Sequence, residues 1–231
     1  MIWKNLAMRE IVLDTETTGL DPKLGHRIVE IGAVELVNHI PTDNIYHCYI
    51  NPEREVDQGA FEVHGLSTQF LSQFETFENV VDEFNAFIKG DPIIIHNAPF
   101  DIGFLNSELL AIGRNAIDEN RIIDTLPMAR QKFPGAQVNL NALCRKYNID
   151  NSHRDLHGAL VDADLLANVY LELIGGKQPG LQLATERKKQ GITESVVQKE
   201  RVKRVFAVNE TELEAHSRLL DSLANPIWRI E

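Results

Sequence analysis

Two acidic residues stand at alternate positions in a short extended segment near the start of the chain. The segment reads Ile-Val-Leu-Asp-Thr-Glu-Thr-Thr-Gly, and its acids are Asp14 and Glu16. Alternate side chains of a strand leave the same face, so the two carboxylates project together. Paired carboxylates can ligate a divalent cation or exchange protons with a substrate. The alternative is a strand that has ended and continues as a solvated turn.

A third acid, Asp162, is predicted to lie on the buried side of a helix that begins near His157. The solvated stripe of this helix is marked by polar residues at every fourth position, namely Asp164, Asn168 and Glu172. At about 100° per residue, Asp162 is rotated roughly 200° from Asp164. It shares its side with Leu166, Val169 and Leu173. A buried carboxylate needs a cationic or metal partner, and this helix carries no Lys or Arg, so a metal ion is favoured.

A fourth acid, Asp101, is predicted to lie on the apolar face of another helix. It precedes Phe104 and Leu105 by one helical turn, which directs its side chain inward or into a cleft. The alternative is an acid of the first helical turn that binds only the free amides there.

If these four carboxylates converge, they require a countercharge. Two anions ~4 Å apart repel by roughly 4 kcal/mol at an effective dielectric constant of about 20. Two divalent ions would balance four negative charges, and oxygen ligands favour Mg²⁺ or Mn²⁺, whereas zinc prefers His and Cys. The prediction is a site for two divalent metal ions, with the ligands Asp14, Glu16, Asp101 and Asp162.

His157 lies five residues before Asp162, in the first turn of the predicted helix or in the loop ahead of it. A neutral imidazole there could take a proton from a water molecule that attacks phosphorus. General-base catalysis of this kind typically contributes ~10²–10⁴ in rate. The alternative is an ordinary surface histidine near the start of a helix.

The elements that would position these residues indicate a mixed α/β domain. Three extended runs come first, at residues 11–14, 28–37 and 45–50, with the second turn at 41–44. Helical stretches then alternate with two short strands at residues 92–95 and 121–123. The helical stretches are residues 77–88, 98–112, 125–133, 140–147 and 157–174. Two glycines end the last helix, so the domain is predicted to span residues 1–175.

The composition is typical of a soluble, globular chain. The 231 residues are 43% hydrophobic and 25% charged, and the chain is long enough to bury a core. No apolar run approaches the ~20 residues that span a bilayer, and no signal-peptide core follows Met1. The expected location is the cytoplasm, without membrane association. Cys48 and Cys144 are expected to be core thiols.

The net charge of −11 argues against binding nucleic acid through a bulk positive potential. Charge is uneven, however, because residues 177–204 carry eight basic and three acidic residues. A site that recruits divalent cations also reverses the local sign where it meets a phosphate. The bulk charge therefore does not exclude a nucleic-acid substrate.

Three motifs in this order resemble the DEDDh exonuclease family. They are Asp14-x-Glu16, Asn97-x-x-x-Asp101 and His157-x-x-x-x-Asp162, and the histidine spacing marks the DEDDh branch. Within that family, longer stretches are similar to the proofreading subunits of bacterial replicative polymerases. These stretches are residues 14–19, 63–65, 96–101 and 156–160.

The resemblance implies a ribonuclease H-like α/β fold, with a five-stranded mixed sheet flanked by helices. It implies that Asp14, Glu16 and Asp162 ligate the metals, that Asp101 assists and that His157 activates water. It also implies that four further residues hold the terminal nucleotide, namely Thr17, Thr18, His64 and Asn97. The implied activity is 3′→5′ removal of nucleotides from single-stranded or frayed DNA in the bacterial replisome.

Two other functions stay open. One is an exonuclease of the same branch that trims RNA or degrades oligonucleotides. Residues that act on the phosphodiester do not distinguish ribose from deoxyribose, so they do not exclude this function. The other is a non-catalytic scaffold that bridges polymerase and clamp. Retention of all five catalytic-type residues argues against the scaffold.

Residues 176–204 are interpreted as a basic linker that contains one short motif with two interpretations. Gln178, Leu181 and Leu183 resemble a motif that binds the sliding clamp, and a plain linker is the alternative. A small accessory subunit that binds the catalytic domain is a further candidate partner.

Residues 205–231 resemble the tail with which proofreading subunits dock on the polymerase catalytic subunit. Thr211 and Glu214 fit a capping box at the start of a helix. An apolar stripe on this helix is too large for the small tail to bury alone, so we expect it to need a partner surface. The residues concerned are Leu213, Leu220 and Leu223, with Trp228 as an anchor.

Overall fold

A computed structural model describes residues 8–152, 156–175 and 209–222 of the chain. The chain divides into two compact units, residues 1–181 and 182–231, and each is described by itself. Several predictions of partner binding concern residues outside the described ranges, namely Gln178, Leu181, Leu183, Leu223, Trp228 and the linker at 176–204.

The first unit is built on a five-stranded mixed sheet with the strand order β3-β2-β1-β4-β5. The strands are β1 (Arg9–Thr17), β2 (Ile28–Val37), β3 (Ile40–Tyr49), β4 (Ile93–Ile95) and β5 (Ile122–Asp124). The first three form an antiparallel meander, and β4 and β5 extend the sheet parallel to β1. The prediction of a five-stranded mixed sheet flanked by helices is confirmed.

The hairpin between β2 and β3 turns at Asn38 and His39, whose φ angles are 52° and 67°. A two-residue turn with two positive φ angles matches the twist of the paired strands. The prediction of a turn at residues 41–44 is wrong, because Ile40–Tyr49 is one strand. Pro41 is accommodated because β3 lies at the edge of the sheet.

Helices cover both faces of the sheet. They are α1 (Gln58–His64), α2 (Thr68–Leu71), α3 (Phe77–Ile88), α4 (Ala98–Ala111), α5 (Thr125–Lys132), α6 (Leu140–Tyr147) and α7 (Ala159–Leu173). α3 and α4 pack on the face that carries Ile11 and Leu13 of β1. α7 packs on the opposite face against Val12, with α5 and α6 beside it. In the described part of the chain, every helix is too short or too polar to cross a membrane.

The described part of the second unit is one helix, α8 (Glu210–Ser222). Asn209 caps this helix, because its side-chain oxygen accepts hydrogen bonds from the Thr211 N–H at 3.1 Å and the Thr211 hydroxyl at 2.9 Å. The predicted capping box is therefore wrong, since Thr211 is already the second helical residue. Of the predicted apolar stripe, Leu220 is buried and Leu213 is half exposed.

Candidate active site

The end of β1 presents two carboxylates on the face of the sheet that α7 covers. Asp14 and Glu16 alternate with Thr15, which points to the α4 side of the sheet. Across the strands, Asp14 pairs with Gly32 of β2 and Glu16 pairs with Glu30. Glu16 is buried and Asp14 is half-buried. The strand therefore holds both acids beside the start of α7.

The first turn of α7 lies directly on Gly32. A Cβ atom at this position would be 2.1 Å from the backbone nitrogen of Leu160 and 2.2 Å from the carbonyl carbon of Ala159. Real Cβ atoms do not approach a backbone so closely, so only a glycine allows this contact. Because Gly32 is the cross-strand partner of Asp14, the contact sets the distance between α7 and the acidic end of β1.

α7 and the loop ahead of it bring His157 and Asp162 to Glu16. One ligand atom from each of these three residues lies within 4.8 Å of the others, and His157 Nδ1 is 3.2 Å from Asp162 Oδ2. The His157 backbone N–H donates to the Val63 carbonyl at 3.1 Å, which ties the loop to α1. Asp162 is buried in the first turn of α7, on the side that helical periodicity predicts.

Asp101 reaches the same end of β1 from the other side of the sheet. Its Oδ1 accepts hydrogen bonds from the Thr15 backbone N–H at 3.0 Å and from the Thr15 hydroxyl at 2.7 Å. Burial raises the pKa of Asp101 to about 7; its hydrogen bonds with Thr15 oppose the rise and the charge of Asp124 adds to it. Asp101 thus ionises fully at neutral pH only with added positive charge nearby.

Two cavities meet at Glu16 and Phe100, which line both of them. The first, here called the acidic cavity, has a volume of about 580 Å³. It is lined by His157 and by all four candidate carboxylates, Asp14, Glu16, Asp101 and Asp162. The second, here called the apolar cavity, has a volume of about 540 Å³ and is lined by Leu20, Leu24 and Val63 among others.

Three of the four residues expected to hold a nucleotide line these cavities. Thr17 and His64 line the apolar cavity, and Asn97 lines the acidic cavity. Asn97 is exposed at the start of α4 with a φ of 70°, and its backbone N–H donates to Asp124 at 3.0 Å. The strained left-handed backbone at Asn97 is one that Asn tolerates better than most residues.

Thr18 lies elsewhere than expected. It is fully buried, its hydroxyl accepts from the Arg27 N–H at 3.0 Å and it contacts His26 Nδ1 at 3.1 Å. The side chain stabilises the turn after β1. Its position does not support direct contact with a nucleotide.

Both ring nitrogens of His64 are engaged in hydrogen bonds with the backbone. Nδ1 accepts from the Leu66 N–H at 3.0 Å, so Nε2 carries the proton and donates to the Thr17 carbonyl at 3.2 Å. Burial lowers the pKa of His64, which keeps the ring neutral. His64 therefore offers the apolar cavity a ring surface and holds the end of β1 in place.

Sequence reasoning missed several residues at the site. Thr15 holds Asp101, Phe100 separates the two cavities, and Arg130 lines the acidic cavity. Glu30, which is buried, contacts His47 Nε2 at 2.7 Å. A signal for Glu30 was available, because it is one of only two acids in the otherwise apolar run Ile28–Val37. No comparable signal marked Phe100 or Arg130.

The donor set suits a hard divalent cation. Glu16, Asp162 and His157 offer two carboxylates and an imidazole within reach of one ion, and Asp14 and Asp101 add carboxylates to the same cavity. Carboxylate oxygens in such number suit a hard divalent cation. Burial, the main cause of the raised pKa of Asp101, disfavours its charged form, and a nearby cation would lower that pKa.

Comparison with known proteins gives close relatives over nearly the whole chain. The chain is 46% identical over 223 residues to the DNA polymerase III subunit epsilon of Rickettsia typhi, which covers 94% of this chain and 97% of that protein. It is 46% identical over 238 residues to the subunit of the same name from Escherichia coli, with 96% of this chain and 97% of that protein covered.

Solved structures share the fold at lower identity. One, titled Exonuclease X in complex with 5′ overhanging duplex DNA, matches with a TM-score of 0.58 and 23% identity over 71% of this chain and 90% of that one. Another, the nuclease domain of 3′hExo, a DEDDh family member bound to rAMP, matches with a TM-score of 0.61 and 18% identity over 74% and 93%. The family model described as Exonuclease matches residues 11–170. On that match and on the likeness to full-length relatives, the chain belongs to the DEDDh exonuclease family.

Proposed function

We propose that this chain is the proofreading 3′→5′ exonuclease of a bacterial replicative DNA polymerase, and that it uses two divalent metal ions to release nucleoside monophosphates from a frayed strand. The observation that carries the proposal is the convergence of Glu16, His157 and Asp162 within 4.8 Å. They lie in a cavity that Asp14 and Asp101 also line. Metal-assisted hydrolysis of a phosphodiester uses this combination of clustered anionic ligands and a nearby base.

Asp14, Glu16 and Asp162 would ligate the metal ions, with Asp101 assisting. Bound Mg²⁺ or Mn²⁺ supplies positive charge that holds the scissile phosphate and offsets the charge that develops on its oxygens. The protein contributes rigid supports, because the acids are carried by β1, α4 and α7 rather than by long loops. Thr15 orients Asp101 through its two hydrogen bonds.

His157 accepts a proton from the attacking water in this proposal. The water oxygen bonds to phosphorus while the bond from phosphorus to the 3′ oxygen of the preceding nucleotide breaks. The proton that the water loses goes to the imidazole, and the leaving 3′ oxygen takes a proton from solvent to become the new 3′ hydroxyl. The His157 side chain is 46% exposed at the acidic cavity and contacts Asp162, so it is accessible to water and is oriented by a buried carboxylate.

The apolar cavity receives the terminal nucleoside. Leu20, Leu24 and Val63 offer exposed apolar surface there, and the ring of Phe100 lies at the junction with the acidic cavity. Apolar and aromatic surfaces bind any base by its flat face and read no sequence. A proofreading site needs this tolerance, because the nucleotide to be removed can carry any of the four bases.

The polymerase partner is inferred from the relatives. Proteins named DNA polymerase III subunit epsilon are alike over 94–96% of this chain, whereas the exonuclease family match ends at residue 170. The likeness therefore includes the tail, and we infer that residues 205–231 bind the polymerase catalytic subunit. The sliding clamp, bound through Gln178, Leu181 and Leu183, and a small accessory subunit are proposed as further partners.

A degradation assay tests the proposed activity. A 5′-labelled DNA oligonucleotide with a free 3′ hydroxyl should be shortened stepwise in Mg²⁺ or Mn²⁺, and EDTA should stop the shortening. Asp162→Asn should abolish it. Asp164→Asn is the matched control, because it makes the same change two residues away on the exposed face of α7, and it should leave the rate unchanged.

Three outcomes would contradict the proposal. Full activity of Asp162→Asn would remove the metal mechanism. Faster shortening of an RNA of the same sequence would favour the RNA-trimming alternative. Binding of the oligonucleotide without any shortening by the unaltered chain would favour the scaffold.

A further inference from the structure

One stretch of this acidic chain carries only positive charge. Residues 125–149 hold Arg130, Lys132, Arg145 and Lys146 and no acidic residue, although the whole chain has a net charge of −11. The stretch covers α5, α6 and the turn between them. Exposed charges of one sign that nothing nearby offsets create a local potential, and that potential attracts an oppositely charged partner.

Three of these cations are exposed to solvent. They are Arg130, Arg145 and Lys146, and the Lys146 ammonium also lies over the Phe133 ring, 4.9 Å from its centroid. Among the described residues, the ion pairs of Arg and Lys involve other residues, namely Arg9, Arg27, Arg54, Arg114 and Arg218. Lys132 differs, since its ammonium donates to the Glu172 carbonyl at 2.6 Å at the end of α7.

The three cations lie at the acidic cavity and at a recess that shares one wall with it. Arg130 lines the acidic cavity itself, and so does Leu140 at the start of α6. Arg145 and Lys146, with Gln137, line a shallow recess of about 280 Å³. Arg145 is five residues beyond Leu140, which is about 8 Å along the helix. Residues 137–142 therefore form one wall that borders both the acidic cavity and the recess with Arg145 and Lys146.

We propose that Arg130, Arg145 and Lys146 form a track for the phosphates of the single strand that leads to the scissile bond. This inference rests on the proposed exonuclease function. Metal ions neutralise the scissile phosphate, but the remaining phosphates would face a domain rich in carboxylates. A row of exposed cations offsets that repulsion, and because it contacts only phosphates it reads no base.

The decisive experiment compares hydrolysis of an oligonucleotide with hydrolysis of a substrate that contains only the scissile diester. The long substrate is an oligothymidylate of about 20 nucleotides, and the short one is thymidine 5′-(4-nitrophenyl phosphate), a single diester. In Arg145→Ala/Lys146→Ala, kcat/KM on the oligonucleotide should fall about tenfold at low salt through KM. The slope of log(kcat/KM) against log[KCl] should become shallower by about 1.4, because each lost phosphate contact on a single strand contributes about 0.7. Hydrolysis of the diester should change less than twofold.

Two further variants control for effects on folding and for charge alone. Lys89→Ala/Arg114→Ala removes two exposed cations at the opposite end of the domain, since Lys89 precedes β4 and Arg114 follows α4, whose other ends line the acidic cavity. It should leave both substrates and the salt slope unchanged. Arg145→Lys/Lys146→Arg keeps the charges and should restore the salt slope.

The outcomes separate this inference from the proposed function. Equal losses on both substrates, or an unchanged salt slope in the double alanine variant, would overturn the phosphate track. Failure of the unaltered chain to hydrolyse either substrate would instead contradict the proposed exonuclease.

Discussion

At the scale of single residues, Glu16 and Asp162 are close enough for their charges to control the site. Their ligand atoms lie within 4.8 Å of each other and of the His157 ring. Two anions about 4 Å apart repel by roughly 4 kcal/mol at an effective dielectric constant of about 20. Cation binding removes that repulsion in the folded state alone, so metal affinity and stability are linked.

Asp101 should make the metal-free protein less stable as pH rises. Its pKa is raised by burial from 3.8 to about 7, so between these pH values the folded chain keeps a proton that the unfolded chain has lost. The free energy of unfolding therefore falls as pH rises through this window, and the loss is complete above the folded pKa. Thermal melts in EDTA from about pH 4 to about pH 8 should show this fall.

The variant Asp101→Asn isolates the contribution of this one carboxyl. Asparagine keeps the acceptor oxygen for Thr15 but does not titrate, so the fall in melting temperature between the two pH values should become smaller. Mg²⁺ should reduce the same fall in the unaltered chain. An identical pH profile in the variant would show that Asp101 is not the group responsible.

His157→Ala should separate proton transfer from metal binding. We expect kcat to fall by about 10²–10⁴, the usual contribution of a general base, while Mn²⁺ affinity changes by only a few-fold because the carboxylates stay. Isothermal titration with Mn²⁺ and single-turnover degradation measure the two effects. His216→Ala changes an exposed histidine of α8 and is the matched control. A large loss of Mn²⁺ affinity would instead make His157 a metal ligand.

At the scale of elements, the distance between α7 and β2 decides whether the site can form. Ala159 and Leu160 rest on Gly32 with no room for a Cβ atom, and β2 pairs Gly32 with Asp14. The helix that carries Asp162 is thus positioned by a glycine that contributes no chemistry itself. A substitution there acts on the site through backbone displacement.

Gly32→Ala should push the start of α7 away from the sheet. The new methyl group would lie 2.1 Å from a backbone nitrogen, so we expect a loss of about 3 kcal/mol in unfolding free energy, typical of overpacking, together with weaker Mn²⁺ binding. Gly103→Ala is the control, since that glycine lies inside α4 with open space around it. It should stabilise the chain by about 0.5–1 kcal/mol through helix propensity.

Chemical denaturation and Mn²⁺ titration measure both glycine variants. Normal Mn²⁺ affinity in Gly32→Ala would contradict the view that this close contact positions the metal ligands. Destabilisation by Gly103→Ala would indicate a contact that the open space does not suggest.

The long helices and strands could be predicted from the periodicity of their apolar residues, whereas the short ones could not. α7 has fifteen residues and one polar stripe, so the burial of Asp162 could be read from the sequence. α1 has only seven residues, one of them Gly59, and its helix was not predicted although it carries His64. The β2–β3 turn was misplaced because Asn38-His39 lacks glycine, while Pro41 and nearby polar residues are typical of turns.

Contacts between distant segments could not be predicted. The bonds from Thr15 to Asp101 join residues 86 positions apart, and no local pattern encodes them. Phe100 and Arg130 also acquire their places at the cavities only through tertiary packing. The full burial of Thr18 has the same origin, since its hydroxyl meets Arg27 and His26 of the next segment.

At the scale of the whole molecule, the chain has two compact units with different roles in the proposed function. The exonuclease family match lies within residues 1–181, and the second unit begins at residue 182. All candidate ligands and His157 belong to the first unit. Chemistry and partner binding should therefore be separable by truncation.

Deletion of residues 205–231 should spare hydrolysis and end association with the polymerase catalytic subunit. The deleted part contains α8, on which Leu213 and Leu219 are exposed apolar side chains. Size-exclusion chromatography with purified polymerase subunit and the oligonucleotide assay measure the two properties. The double substitution Leu213→Asp/Leu219→Asp should have the same effect on association as the deletion. Glu212→Gln is the control and should leave association unchanged. Retained co-elution after deletion would assign docking to another segment.

The alternation along β1 has a consequence for how such a chain can vary. Asp14 and Glu16 face α7, whereas Thr15 faces α4 and bonds to Asp101. Even-numbered and odd-numbered positions of β1 therefore contact different layers of helices. Inserting or removing one residue near the start of β1 would move every later side chain of the strand to the opposite face. The two acids would then lie under α4, and Leu13 and Thr15 would face the acidic cavity. Homologues should therefore tolerate many substitutions in this strand but no change in its length, and gaps in their alignment should fall in the loops.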